Sequence, residues 1–236
     1  MLLAGKRIIV TGAGRGIGRA CALKCAAEGA RVALVGKGRE NLEQTAARIK
    51  KENAAFLACA CDIGTEAGAA EAFERATAAW GGVDGLVNCA AIFRKAAAVE
   101  LALEDWNELL RVNLTGVFLA CREAFRRMPS GGSIVNIASL SGVPGYEKFP
   151  GFTAYNVSKY GVLGLTEILA VEGAERGLRV NCLSPGAVDT DMLRQAAPQL
   201  APAMQPEEVA EAAVFLLSER SSALNGANLI LAGNRA

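Results

Sequence analysis

The chain has 236 residues, 52% hydrophobic and 21% charged, with 25 basic against 24 acidic side chains and a formal net charge of +1. That length and apolar content suit one large domain with a deep core, and the near-neutral balance offers no field for nucleic acid or an anionic membrane. Histidine is absent, which excludes Ser-His-Asp and Cys-His hydrolases and any His-ligated metal centre, and leaves proton transfer to Tyr, Lys, Asp, Glu or Cys.

The seven cysteines, at 21, 25, 59, 61, 89, 121 and 182, include no C-x-x-C pair and read as reduced thiols of a cytoplasmic protein. Cys59-x-Cys61 would set two thiols on one side of a strand, a weak zinc signal without further ligands. Met1 to Arg7 is too short and too soon charged for a signal peptide, and no apolar run approaches the length of a membrane span.

Arg7–Thr11 is the first predicted strand. It enters Thr11-Gly12-Ala13-Gly14-Arg15-Gly16-Ile17-Gly18, beyond which a helix begins. Glycines lack a Cβ, so backbone N–H groups there can approach a diphosphate closely, and the helix aims its positive end at the same anion. The spacing G-x-x-x-G-x-G differs from the general G-x-G-x-x-G fingerprint and lacks the Lys-Ser/Thr ending of a nucleoside triphosphate loop. A dinucleotide is the expected ligand; a plain tight turn is the alternative.

Further strands are predicted at Arg31–Val35, Ala55–Ala60, Val83–Asn88, Ser133–Ala138, Arg179–Leu183 and Asn228–Leu231. Several are continuous apolar runs, as parallel strands covered on both faces should be. Helical patterns lie between them. Leu42, Ala46 and Ile49 share one face, as do Phe73, Ala76 and Trp80. Trp106, Leu110, Asn113 and Val117 line up along one long helix from Leu103 to Arg127. Another runs from Thr153 to Arg176, and a last one from Pro206 to Ser218, with Pro206 suited to its first turn. The alternation predicts a doubly wound, Rossmann-type α/β fold: a parallel seven-stranded sheet flanked by helices, with residues 1–236 as a single domain.

In such sheets ligands bind outside the carboxyl ends of the strands. Those ends carry the glycine turn, Gly36-Lys37, Asp62, Asn88 to Ala91, Ser139 and Pro185-Gly186. Farther along, Tyr155 and Lys159 stand four residues apart on one helix face. The residues after Lys159 are largely apolar, so its ammonium needs a designated partner.

These residues resemble the short-chain dehydrogenases/reductases of the single-domain type, over nearly the whole chain. The resemblance rests on the Gly12/Gly16/Gly18 turn, Asp62, Asn88-Cys89-Ala90-Ala91, Asn113, Ser139, Tyr155 with Lys159, Asn181, and Pro185-Gly186 followed by Thr190. Among members it is nearest in look to ketoreductases similar to the 3-oxoacyl-carrier-protein reductases. It implies an enzyme that moves a hydride between a nicotinamide cofactor and a carbonyl or alcohol substrate. Tyr155 would be the general acid/base, and Lys159⁺ with the nicotinamide charge would lower the phenol's pKa. Lys159 would also hydrogen-bond the nicotinamide ribose. Ser139 would fix the substrate oxygen, with Ser141 a competitor for that role, and the Asn113 carbonyl would hold a water linking Lys159 to solvent. Asp62, with Ile63 beside it, would meet the adenine. Asn88 and Ala90 would line the ribose pocket, and Pro185, Gly186, Val188 and Thr190 would wrap the nicotinamide.

The position that holds a ribose-binding acid in NAD-dependent folds is Gly36 here, followed by Lys37-Gly38-Arg39, with no carboxylate before Glu40. Together with Arg15 in the turn, this basic pair suits a 2′-phosphate, so NADP(H) is expected over NAD(H). Plain solvated charges at Lys37 and Arg39 are the alternative.

Ala91 stands where the family has glycine. The loop from Ser139 to Tyr155 is a few residues longer than the family pattern and carries Tyr146, Phe149 and Phe152, candidates for an apolar mouth. The lid, Asp191–Gln205, is short, which predicts a more open pocket or weaker closure. Leu231-Ala232-Gly233-Asn234 replaces the usual C-terminal motif. Relatives pair the helices Leu103–Arg127 and Thr153–Arg176 between subunits, which implies a homotetramer. A non-catalytic NADP(H)-binding sensor or scaffold is the second reading. A sugar-nucleotide epimerase of related fold needs a larger substrate domain.

Overall fold

In a computed structural model that describes residues 1–51 and 54–233, seven strands form one all-parallel sheet. They are β1 (Arg7–Thr11), β2 (Arg31–Gly36), β3 (Phe56–Ala60), β4 (Gly85–Asn88), β5 (Ser133–Ile137), β6 (Arg179–Pro185) and β7 (Asn228–Leu231), in the order β3-β2-β1-β4-β5-β6-β7. The helices are α1 (Gly16–Ala27), α2 (Arg39–Lys51), α3 (Glu66–Trp80), α4 (Leu103–Leu110), α5 (Gly116–Arg127), α6 (Thr153–Gly173), α7 (Asp191–Ala196) and α8 (Pro206–Leu217).

Neighbouring side chains of a strand point to opposite faces, and β1 shows how both faces are filled. Ile8 and Val10 pack with α1, α2 and α8, while Ile9 packs with the layer of α3, α5 and α6. A residue of an inner strand is then mostly apolar whichever way it points, which is why several of the predicted strands read as unbroken runs. Six of the seven cysteines are buried, in these same two layers. No helix among the described residues is long and apolar enough to cross a membrane.

Strand order reverses between β1 and β4, where a doubly wound sheet opens a crevice. The two strand ends are tied across it: Thr11 Oγ1 accepts from the N–H groups of Cys89 (3.1 Å) and Ala90 (3.2 Å). Strand limits differ from the predicted ones by one or two residues, as ladder ends do. The larger difference is the helix predicted over Leu103–Arg127. It is interrupted by a π turn at Arg111–Thr115, where the Gly116 N–H reaches the Arg111 carbonyl. The extra residue in that turn re-aims the side chains around Asn113.

Candidate active site

One cavity of about 420 Å³ joins the glycine turn to the middle of α6. At one end it is lined by Gly12, Arg15, Gly16, Ile17 and Gly18, and at the other by Ser139, Tyr155 and Lys159. Pro185, Gly186, Val188 and Thr190 close the side between them. The sequence places these residues far apart; the strand ends and α6 bring them onto one surface.

The glycines of the turn do more than clear a path for a ligand. Gly12 has φ +66°, and a Cβ on it would stand 2.8 Å from Ala90 N. A Cβ on Gly18 would overlap the Gly12 carbonyl. Both absences serve close backbone packing between β1, α1 and the end of β4. Gly16, with φ +51°, faces the Thr190 methyl across the cavity mouth. Helix α1 has no acidic residue in its first turn, and its N-cap, Arg15, makes no side-chain capping bond. Its first N–H groups therefore remain donors for an anion.

Lys159 is 3% exposed, and its Nζ donates to the Ile137 carbonyl at 2.8 Å. No carboxylate pairs with it among the described residues, and burial pushes its pKa down to about 8. The Tyr155 ring lies with its centroid 5.7 Å from that ammonium. Burial pushes the Tyr155 phenol above its ordinary value, and a hydrogen bond with Ser139 partly offsets this. Desolvation acts on both groups and sets the direction of both shifts in the protein by itself. Ser139, two residues past the end of β5, is extended and accepts from Ser141 N at 3.2 Å. Both serines line the cavity.

Asn113 is fully buried behind this surface. Its Oδ1 accepts from Ile92 N (2.8 Å), and its Nδ2 donates to Ile92 O (3.0 Å) and Ser158 Oγ (3.3 Å). Ser158 Oγ in turn donates to the Tyr155 carbonyl at 2.7 Å. The π turn is thereby strung to α6 directly beneath the phenol.

Five expected cofactor residues do not line this cavity. Asn88 turns its amide into the core, where Nδ2 donates to Asn136 Oδ1 at 2.9 Å. Ile63 packs into the α3 and α5 layer. Lys37 and Asp62 form an ion pair of 3.1 Å at the ends of β2 and β3, outside the enclosed cavity. Ala90 contributes its backbone, against Gly12 and Thr11. Asn181, also quoted for the resemblance, clamps the segment before β7 through Leu224 O and Ala227 N.

The predicted apolar mouth is present, since Tyr146, Phe149 and Phe152 all line the cavity. Sequence reasoning missed Phe93, which packs edge-on to Tyr155 (5.4 Å between centroids) and to Phe152 (4.7 Å). Its signal was its place just past the end of β4. The short segment after Thr190 packs on this corner. Thr190 Oγ1 caps α7 by accepting from Leu193 N, and Leu193, Ala196, Ala197 and Leu200 pack on the aromatic cluster. Gly233 closes against Ala203; Asn234 lies outside the described residues.

A family described as enoyl-(acyl carrier protein) reductase matches residues 12–233. D-threitol dehydrogenase of Mycolicibacterium smegmatis is 39% identical over 98% of this chain and 93% of its own. The 3-oxoacyl-[acyl-carrier-protein] reductase of Aquifex aeolicus is 37% identical over 95% and 94%. A short-chain dehydrogenase from Burkholderia cenocepacia, solved in complex with NADP, superposes with a TM-score of 0.91 at 32% identity over 99% of each chain. These names give the sensor or scaffold reading no support. The chain belongs to the short-chain dehydrogenase/reductase family, and it is an oxidoreductase that moves a hydride between a nicotinamide dinucleotide and a carbonyl or alcohol carbon.

Proposed function

We propose that the protein is an NADP(H)-dependent carbonyl reductase, reversible as an alcohol dehydrogenase, with Tyr155 as its general acid/base. The observation that carries this reading is the convergence of Ser139, Tyr155 and Lys159 on the cavity that begins at the open N-terminus of α1. The donor set fits a dinucleotide: N–H groups of Gly16 to Gly18 for the diphosphate, and Lys159, a buried cation without a carboxylate, for the ribose beside the nicotinamide. When bound, that group supplies the hydride. In the reductive direction Ser139 holds the substrate oxygen and Tyr155 gives it a proton. A phenol pushed upward by burial remains protonated at neutral pH, as an acid must. Asn113 and Ser158 hold α6 in place under Tyr155, and the Asn113 carbonyl serves the water that refills the proton.

Selectivity for NADP(H) is supported by Arg15, Lys37 and Arg39 and by the missing acid at Gly36. Substrates with an apolar portion suit the cluster of Phe93, Phe149 and Phe152. Residues 191–205 act as the lid of a single-domain enzyme. A homotetramer is supported by apolar side chains left exposed on α5 and α6, Phe118, Ile168 and Val171. A cytoplasmic site suits seven free thiols.

NADPH oxidation across a panel of ketones, with Tyr155→Phe as control, tests the reading. Turnover should fall about 10²- to 10⁴-fold in the variant while NADPH binding persists; full activity in it would remove Tyr155 from the mechanism. Dissociation constants for NADPH and NADH test the selectivity, and equal or tighter NADH binding refutes it.

A further inference from the structure

Arg111 opens the π turn, and its guanidinium spans two carboxylates. Nε and Nη2 lie 2.6 and 2.8 Å from the Glu108 oxygens, and Nη1 lies 3.0 Å from Asp62 Oδ2. The Lys37 ammonium meets that same Asp62 oxygen at 3.1 Å. Asp62 Oδ1 accepts from Gly64 N at 3.0 Å. The arrangement depends on Gly64, where a Cβ would overlap Arg111 Nη1. Two cations therefore share one carboxylate oxygen, and the four charges of Lys37, Asp62, Arg111 and Glu108 sum to zero.

We propose that Arg111 is a positioning residue for cofactor selectivity: by neutralising Asp62, it leaves Lys37 free to turn onto the 2′-phosphate of NADP(H) at the end of β2. The inference rests on the NADP(H) reading above. Lys37 is 65% exposed, so its stem can swing, whereas Arg111 is held by two hydrogen bonds to Glu108 and the ion pair with Asp62. Without Arg111 the whole Asp62 charge falls to Lys37, which is then held on the carboxylate and away from the phosphate. NADH brings no such phosphate, so its binding is insensitive to the change.

The test is a set of dissociation constants for NADPH and NADH, read by nucleotide fluorescence on the full chain. The proteins are wild type, Arg111→Met, Lys37→Met and the double variant. Arg111→Met should weaken NADPH about three- to fivefold, the scale of a partly exposed ion pair, and leave NADH within about twofold. In the Lys37→Met background the same substitution should cost nothing further, because the route through Lys37 is gone. Glu108→Gln keeps Arg111 and leaves more of its charge to Asp62, releasing Lys37, so it should tighten NADPH; it also serves if Arg111→Met folds poorly. Parallel weakening of both nucleotides, an Arg111 effect that persists without Lys37, or no tightening in Glu108→Gln overturns the inference. Wild-type protein that binds NADH as tightly as NADPH overturns the NADP(H) reading instead, and the double-variant cycle on NADPH then judges Arg111 separately.

Discussion

Gly142 packs directly on the backbone of Lys159: a Cβ on Gly142 would stand 2.5 Å from the Lys159 carbonyl carbon and 2.7 Å from its Cβ. The helical turn at Leu140–Gly142, which follows Ser139, is thereby pressed against α6 where the site lysine sits. Gly142→Ala must push the two apart. Overpacking of this kind costs about 1–3 kcal/mol, and the displaced Lys159 should lower kcat. Urea denaturation and steady-state kinetics check both; wild-type stability and turnover together would show that the contact relaxes freely.

Ser139 and Ser141 both face the cavity, but of the two only Ser139 acts to lower the phenol's pKa. Ser139→Ala should reduce kcat/KM about a hundredfold, as loss of one preorganised donor does. Ser141→Ala should change it little. The reverse ranking would reassign the donor.

The pKa of Lys159 gives a pH dependence of stability. Its folded value, about 8, lies below the ordinary 10.5, so the unfolded chain binds more protons between those pH values, and stability rises with pH across that window. Below pH 8 the full cost of burying the charge remains, at most about 3 kcal/mol. Lys159→Met should therefore be inactive yet more stable than wild type at pH 7. Its advantage should shrink as pH climbs toward 10.5. Unfolding both proteins in urea at pH 7 and pH 10 measures this, and a constant difference between them would contradict it.

Gly18→Ala would drive a Cβ into the Gly12 carbonyl at the start of α1. The clash is with backbone, which cannot rotate away. Nucleotide binding and thermal stability should fall together in this variant, and retention of tight NADPH binding would show that the turn has slack.

Much of this molecule was legible from local patterns. The strand runs Arg7–Thr11 and Asn228–Leu231 end where predicted; in the first, burial on both faces leaves a two-sided apolar signature, and the second is an apolar run on the edge of the sheet with Asn228 and Ile230 exposed. The four-residue step from Tyr155 to Lys159 suffices to put both on one helix face. Other features were hidden. A π turn differs from an α-helix by one residue, and nothing in Arg111–Thr115 announces it. Phe93, Ser158 and Gly142 carry weight through partners distant in sequence: Tyr155 and Phe152 for the first, Asn113 for the second, Lys159 for the third. The length of the lid predicts a more open pocket or weaker closure, but does not reveal that Leu193, Ala196 and Ala197 pack against the aromatic rings.

By itself the sequence determined the sheet, the helix layers, the glycine turn and the phenol–ammonium pair, because periodicity and spacing belong to contiguous residues. Only the tertiary structure decided that the Asn88 amide faces Asn136, that Lys37 shares Asp62 with Arg111, and that burial shifts Tyr155 and Lys159 more than they shift one another. Charge pairing and desolvation depend on neighbours that folding brings together from far along the chain, and no local window contains them.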